Sequence, residues 1–220
     1  MELSLEILCK TNYYLVKMKF IEQWKRRQNN KIVLGEGVNP WLVHKIQFAP
    51  DAVDNEIYIG SGFRCGKFAL DIQGQGNKVF IGDQVRFGGK LMIRGKGIEC
   101  RIGSHCHCVD AYVLAYKANL TIGEHCLISR EVVIRNSDVH KIFNKGDEPK
   151  LSNAQNPPQD LTIGRHVWVG ARAFVSKGAQ IPEECVIGAS SFVNKSFVES
   201  HCIIAGTPAK IVKRHIDWER

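Results

Sequence analysis

Eight histidines and eight cysteines are the side chains of this 220-residue sequence best suited to chemistry near neutral pH. An imidazole can take up a proton and return it in that range, and imidazoles and thiolates both ligate metals. Position separates the candidates. The run His105-Cys106-His107-Cys108, followed by His125-Cys126, has the composition of a zinc site. His140 closes the run Ser137-Asp138-Val139-His140, and Asp138 would share its face in an extended chain. Ala171 and Ala189 each follow a glycine, at Gly170 and Gly188, and lie 18 residues apart. The cations Lys195, Lys210 and Lys213 cluster near the C-terminal end, where they could meet phosphates or stand as basic surface.

These residues are positioned by a repeat. Ile-Gly recurs at residues 59, 81, 102, 122, 163 and 187. From Ile163 the aliphatic positions Val169, Val175, Ile181, Ile187 and Val193 follow at steps of six. Val167, Ala173, Ala179, Cys185, Ser191 and Phe197 sit four residues after each. A period of six fits neither a helix face nor simple strand alternation, and a β-sandwich would not hold it in one phase through six units. It fits a triangular solenoid, in which each hexad makes one side and one corner. Three hexads then make an 18-residue coil, and coils stack about 4.8 Å apart. Upstream spacings of 21 (Ile81 to Ile102) and 20 (Ile102 to Ile122) read as single coils with small insertions.

The phase decides several roles. Cys106, Cys126 and Cys185 fall where Val85 and Val167 fall, so they are expected to point inward while the neighbouring His points outward. Ligands that diverge in this way do not close on zinc, and no metal is expected. His105, His125 and His166 each fall three residues after a hexad Ile and are read as corner residues. His140 differs because it stands where the repeat breaks. The stretch 140–160 holds three of the seven prolines, and a loop of about that length in a compact domain is commonly functional.

The second departure from the repeat is N-terminal. Tyr13, Val16, Phe20 and Trp24 have helical spacing among Lys17, Lys19, Lys25, Arg26 and Arg27. This reads as a basic amphipathic helix, capping the open end of the solenoid or meeting an anionic membrane surface at the inner face. Residues 1–30 are therefore taken as a cap, 31–214 as the β-domain and 215–220 as a tail. No apolar run approaches the length of a membrane span, and no export signal is recognised. The eight sparse cysteines then read as reduced thiols, and the expected location is the cytoplasm. The net charge of +8 suits an anionic partner, but no nucleic-acid recognition motif accompanies it.

The order Ser137-Asp138-Val139-His140, Val167-Trp168-Val169-Gly170-Ala171 and Gly206-Thr207-Pro208-Ala209-Lys210, set in hexads, resembles the hexapeptide-repeat acyltransferases. Within that family the chain is similar to bacterial polysaccharide and sialic-acid O-acetyltransferases and to xenobiotic acetyltransferases. The resemblance covers approximately residues 57–214, with a weaker first coil before it. It implies an all-β, left-handed parallel β-helix, acetyl-CoA as cosubstrate, a sugar hydroxyl of a surface polysaccharide or its precursor as acceptor, and a homotrimer. It implies that His140 is the general base and that Trp168 lies near CoA or acceptor. The pantetheine arm is implied to run in a groove between subunits past Gly170, Ala171 and Ala189, toward Pro208, Ala209, Lys210, Lys213 and Lys195. Asp138 would orient the imidazole, bind the acceptor or remain a solvated turn acid. Alternatives from the same fold are an antibiotic acetyltransferase, a γ-type carbonic-anhydrase-like metal lyase and a scaffold without catalysis.

Overall fold

Buried aliphatics alternating with partly covered neighbours make each hexad a short strand, as in Glu56–Ile59, where Ile57 and Ile59 are buried. The computed structural model describes residues 8–9, 29–150 and 154–219; the basic segment 12–28 lies outside them. On the first face, Lys31–Leu34, Glu56–Ile59, Lys78–Ile81, Glu99–Ile102, Leu120–Ile122, Leu161–Ile163 and Gln180–Ile181 pair in parallel, in chain order. The hexad isoleucines register across it: Ile59, Ile81, Ile102, Ile122, Ile163 and Ile181. The other two faces share one continuous sheet, because the long strands Arg64–Gln75, Arg86–Lys96 and His107–Tyr116 run around the corner between them. After these, the second face continues through Leu127–Ile128, Trp168–Val169, Val186–Ile187 and Ile203–Gly206. The third continues through Val132–Arg135, Phe174–Val175 and Phe192–Val193. The fold is a three-sided parallel β-solenoid, and the coil starting at Lys31 already belongs to it.

The strict 18-residue coil holds only beyond the loop, where Ile163 registers with Ile181 and Val175 with Val193. Earlier coils are longer, and their extra residues lengthen the strands that cross from the second face to the third.

The corners explain the residues around each Ile-Gly. A Cβ on Gly123 would lie 2.6 Å from the backbone nitrogen of Arg165 in the next coil, so coil spacing excludes a side chain there. Two residues on, the chain turns through the left-handed region at Gln84, His105, His125, His166 and Ser190, and Glu184 and His201 do the same at corners that lack the Ile-Gly pair. Cys106, Cys126 and Cys185 are buried beside exposed His105 and His125, in the phase expected from sequence. One interior feature was not anticipated: a ladder of buried asparagines. The Asn30 Oδ1 accepts from the Asn55 backbone N–H and Nδ2, and the Asn55 Oδ1 accepts from the same groups of Asn77. The Asn77 Oδ1 accepts from the Ile98 N–H.

Near its C-terminal end the chain doubles back, and Ala209–Lys213 pairs antiparallel with Ile203–Gly206. The tail then carries Trp218 onto the His166 ring, 4.1 Å between centroids. Among the described residues no helix is long and apolar enough to cross a membrane.

Candidate active site

The third-face strand Val132–Arg135 delivers the chain to the break in the repeat. Asn136 secures the exit: buried, it accepts the Tyr116 N–H at 2.7 Å and donates from Nδ2 to the Ala118 carbonyl at 2.7 Å. The segment leaves the solenoid at Asn136, four residues before the expected start of the loop, and rejoins it at Leu161.

Asp138, Val139 and His140 do not run extended. The His140 N–H donates to the Asp138 carbonyl at 2.8 Å, which closes a three-residue turn on Val139 at φ 69°. The expected shared face of Asp138 and His140 is therefore replaced by a reversal of the chain. The Val139 N–H donates to the Ser137 Oγ at 3.0 Å. The Asp138 carboxylate turns to other partners: Oδ2 accepts from Lys177 Nζ at 2.5 Å and from Asn156 Nδ2 at 2.9 Å. Partial desolvation disfavours its charge, but the hydrogen bonds from Lys177 and Asn156 and the positive charges of Lys177 and Arg135 outweigh it. The carboxyl is held below its ordinary range. The His140 side chain is exposed. Neither Lys177 nor Asn156 was singled out from sequence; the register of Ile134 with Val175 carries the signal for Lys177, since it stacks Lys177 on Asn136.

A second group of expected residues meets at a different corner, between the second and third faces. Ala171 and Ala189 stand on successive coils, and the Ser190 N–H donates to the Ala171 carbonyl at 2.8 Å. A Cβ on Gly170 would lie 2.6 Å from the Ala189 nitrogen, which accounts for the glycine. The terminal hairpin brings Pro208, Ala209 and Lys210 to the end of the same column: Gly206 pairs with Ala209, and its N–H donates to Ser191 Oγ at 3.1 Å. Lys213 lies opposite Ile203, at the far end of that hairpin. Trp168 is half-exposed on the second face, its Nε1–H donating to Ser129 Oγ at 3.2 Å. Its ring lies 6.1 Å from that of Trp218 in the C-terminal tail. Lys195 is not with this group. Val193 registers with Val175, so Lys195 stacks on Lys177 at the His140 corner.

Within one chain the third face thus separates His140 from the Ala171–Ala189 column, by about 15 Å for a strand of four to five residues. Among the described residues no group of three or more His, Cys, Asp or Glu side chains is placed to hold a metal ion.

No protein-family profile matches the sequence. The chain is 31% identical over 188 residues to a polysialic acid O-acetyltransferase of Neisseria meningitidis, covering 81% of this chain and 82% of that protein. It is 34% identical over 144 residues to a polysialic acid O-acetyltransferase of Escherichia coli O1:K1, covering 66% of this chain but only 43% of the relative. Among solved structures it resembles the polySia-specific acetyltransferase NeuO, with a TM-score of 0.74 and 32% identity over 88% of this chain and 79% of the other.

Proposed function

The chain belongs to the polysialic acid O-acetyltransferase family of hexapeptide-repeat acetyltransferases, and from that premise we propose that it moves an acetyl group from acetyl-CoA to a sugar hydroxyl of a bacterial surface polysaccharide or its precursor. The observation that carries the reading is the placement of His140: an exposed imidazole on a tight turn, at the long interruption of the solenoid between Asn136 and Leu161.

The chemistry needs such a group. A sugar hydroxyl is too weakly acidic to attack a thioester near neutral pH. The His140 imidazole takes the hydroxyl proton as the oxygen bonds to the thioester carbonyl carbon. The tetrahedral intermediate collapses with cleavage of the carbon–sulfur bond, and the imidazolium returns its proton to the departing CoA thiolate. Backbone N–H groups facing the developing oxyanion lower the barrier further. The Ala171–Ala189 column, with backbone exposed by small side chains, suits the pantetheine arm, and Lys210 at its end, with Lys213 farther along the hairpin, suits the CoA phosphates. Trp168, close to that column, offers a flat apolar surface to cofactor or acceptor.

His140 and the column occupy different corners of one triangle. A site containing both is completed by a neighbouring copy, which supports a homotrimer in which each protomer lends its His140 corner to the column of the next. Asp138, held by Lys177 and Asn156, acts on the shape of the turn. The basic segment 12–28, outside the described residues, remains the proposed cap or membrane contact.

The test is transfer of labelled acetyl from acetyl-CoA to polysialic acid, with chloramphenicol as a parallel acceptor. Turnover on the polysaccharide and a loss on the order of 10²- to 10⁴-fold in His140→Ala are expected. Acetylation of chloramphenicol alone would move the assignment to the xenobiotic enzymes. Parental turnover in His140→Ala would remove the base.

A further inference from the structure

The turn that carries His140 is strained. A β-branched residue in the left-handed region is disfavoured because its side chain crowds the backbone, and a three-residue turn with positive φ at its centre is rare. Val139 meets both conditions at φ 69° and is partly exposed. Such a conformation persists when surrounding bonds over-determine it.

Those bonds converge from three parts of the chain. Ser137 holds the Val139 N–H from the solenoid side. Asn156, from the far limb of the loop, makes three bonds at once. Its Nδ2 donates to Asp138 Oδ2 and to the His140 carbonyl, each at 2.9 Å, and its Oδ1 accepts the Ile142 N–H at 2.7 Å. Lys177, from the corner of the next coil, reaches Asp138 Oδ2 with its side chain largely covered. The loop contributes the clamp and the rigid solenoid contributes the anchor.

We propose that Lys177 and Asn156 are positioning residues for His140: Asn156 ties the two ends of the Val139 turn together, and Lys177 fixes the clamped turn to the solenoid through Asp138. The inference rests on His140 being the base. The pair touches the backbone and Asp138, so it sets where the imidazole stands and leaves substrate binding alone. A general base displaced by about 1 Å can lose on the order of 10² in rate.

The experiment measures kcat and KM for acetyl-CoA and for polysialic acid in the full-length protein. The variants are Lys177→Met, Lys177→Arg, Asn156→Ala, His140→Ala and the pair His140→Ala/Lys177→Met. Lys177→Met and Asn156→Ala are expected to lower kcat by about 10- to 100-fold with both KM values unchanged. Lys177→Arg, which keeps the charge and a donor, should recover most of the loss. Asn156 lies on the loop outside the coils, so its variant reports even if Lys177→Met perturbs the solenoid. In the His140→Ala background Lys177→Met should cost nothing further. Parental kcat in both Lys177→Met and Asn156→Ala, with His140→Ala inactive, overturns the positioning role and leaves the base standing. A raised KM with unchanged kcat, or an equal loss in the His140→Ala background, also overturns it, because Lys177 would then act on substrate directly. Full activity in His140→Ala removes the base, and the positioning role with it.

Discussion

Asp138 shows how a single side chain can couple a loop to pH. Its carboxyl is held below the usual value, so it contributes stability that is complete above the unfolded pKa of about 3.9 and is lost as pH falls through the lower folded value. Hydrogen-exchange mass spectrometry of the 137–143 segment should show protection that drops at acid pH in the parent and lacks that step in Asp138→Asn. The cysteines show the opposite case. Burial pushes the thiols of Cys100 and Cys108 up to about 12, and they stay protonated at pH 8. Among the cysteines whose burial is described, Cys65 is the partly exposed thiol, with Lys45 Nζ 3.7 Å from its sulfur. In a Cys9→Ser background, iodoacetamide at pH 8 should label Cys65 first, and the buried thiols only as the protein unfolds. Rapid labelling of Cys106 or Cys126 in the folded state would contradict their place in the core.

At the scale of the strand and corner, stability depends on backbone packed against backbone. Gly123→Ala places a methyl group against the chain of the next coil and should cost about 1–3 kcal/mol in urea unfolding, the usual range for overpacking. Asn55→Ala should cost a similar amount for a different reason, leaving the buried Asn77 backbone N–H without its acceptor and removing one of the two donors to Asn30 Oδ1. The first of these was legible in the sequence, since Gly follows the hexad Ile at residues 59, 81, 102, 122, 163 and 187. So were the inward cysteines, because phase alone fixes which side of a strand a residue faces. The Asn ladder was not: Asn30, Asn55 and Asn77 are separated by 25 and 22 residues, and insertions in these early coils blur the period. The turn at Val139 and its clamp were equally hidden. Asn156 reaches Asp138 across a loop with no repeat to count, and a valine gives no local signal for positive φ.

For the whole molecule, the separation of His140 from the Ala171–Ala189 column makes a test possible that no single variant provides. Co-expression of His140→Ala with Ala189→Trp, each inactive alone, should restore activity in mixed assemblies. With random mixing in a trimer about one site in four pairs an intact His140 with an intact column. No recovery from demonstrably mixed assemblies would place the whole site within one chain. The terminal hairpin bears on the molecule differently. A parallel solenoid ends in a row of unpaired backbone groups, an invitation to end-to-end polymerisation. Ala209–Lys213 covers that row on the second face with a strand of reversed direction, edged by exposed Lys210 and Lys213. A new coil can therefore be inserted before this strand but cannot stack in parallel upon it. A chain truncated before Thr207 would expose the bare edge, and should assemble into fibres that grow from that end.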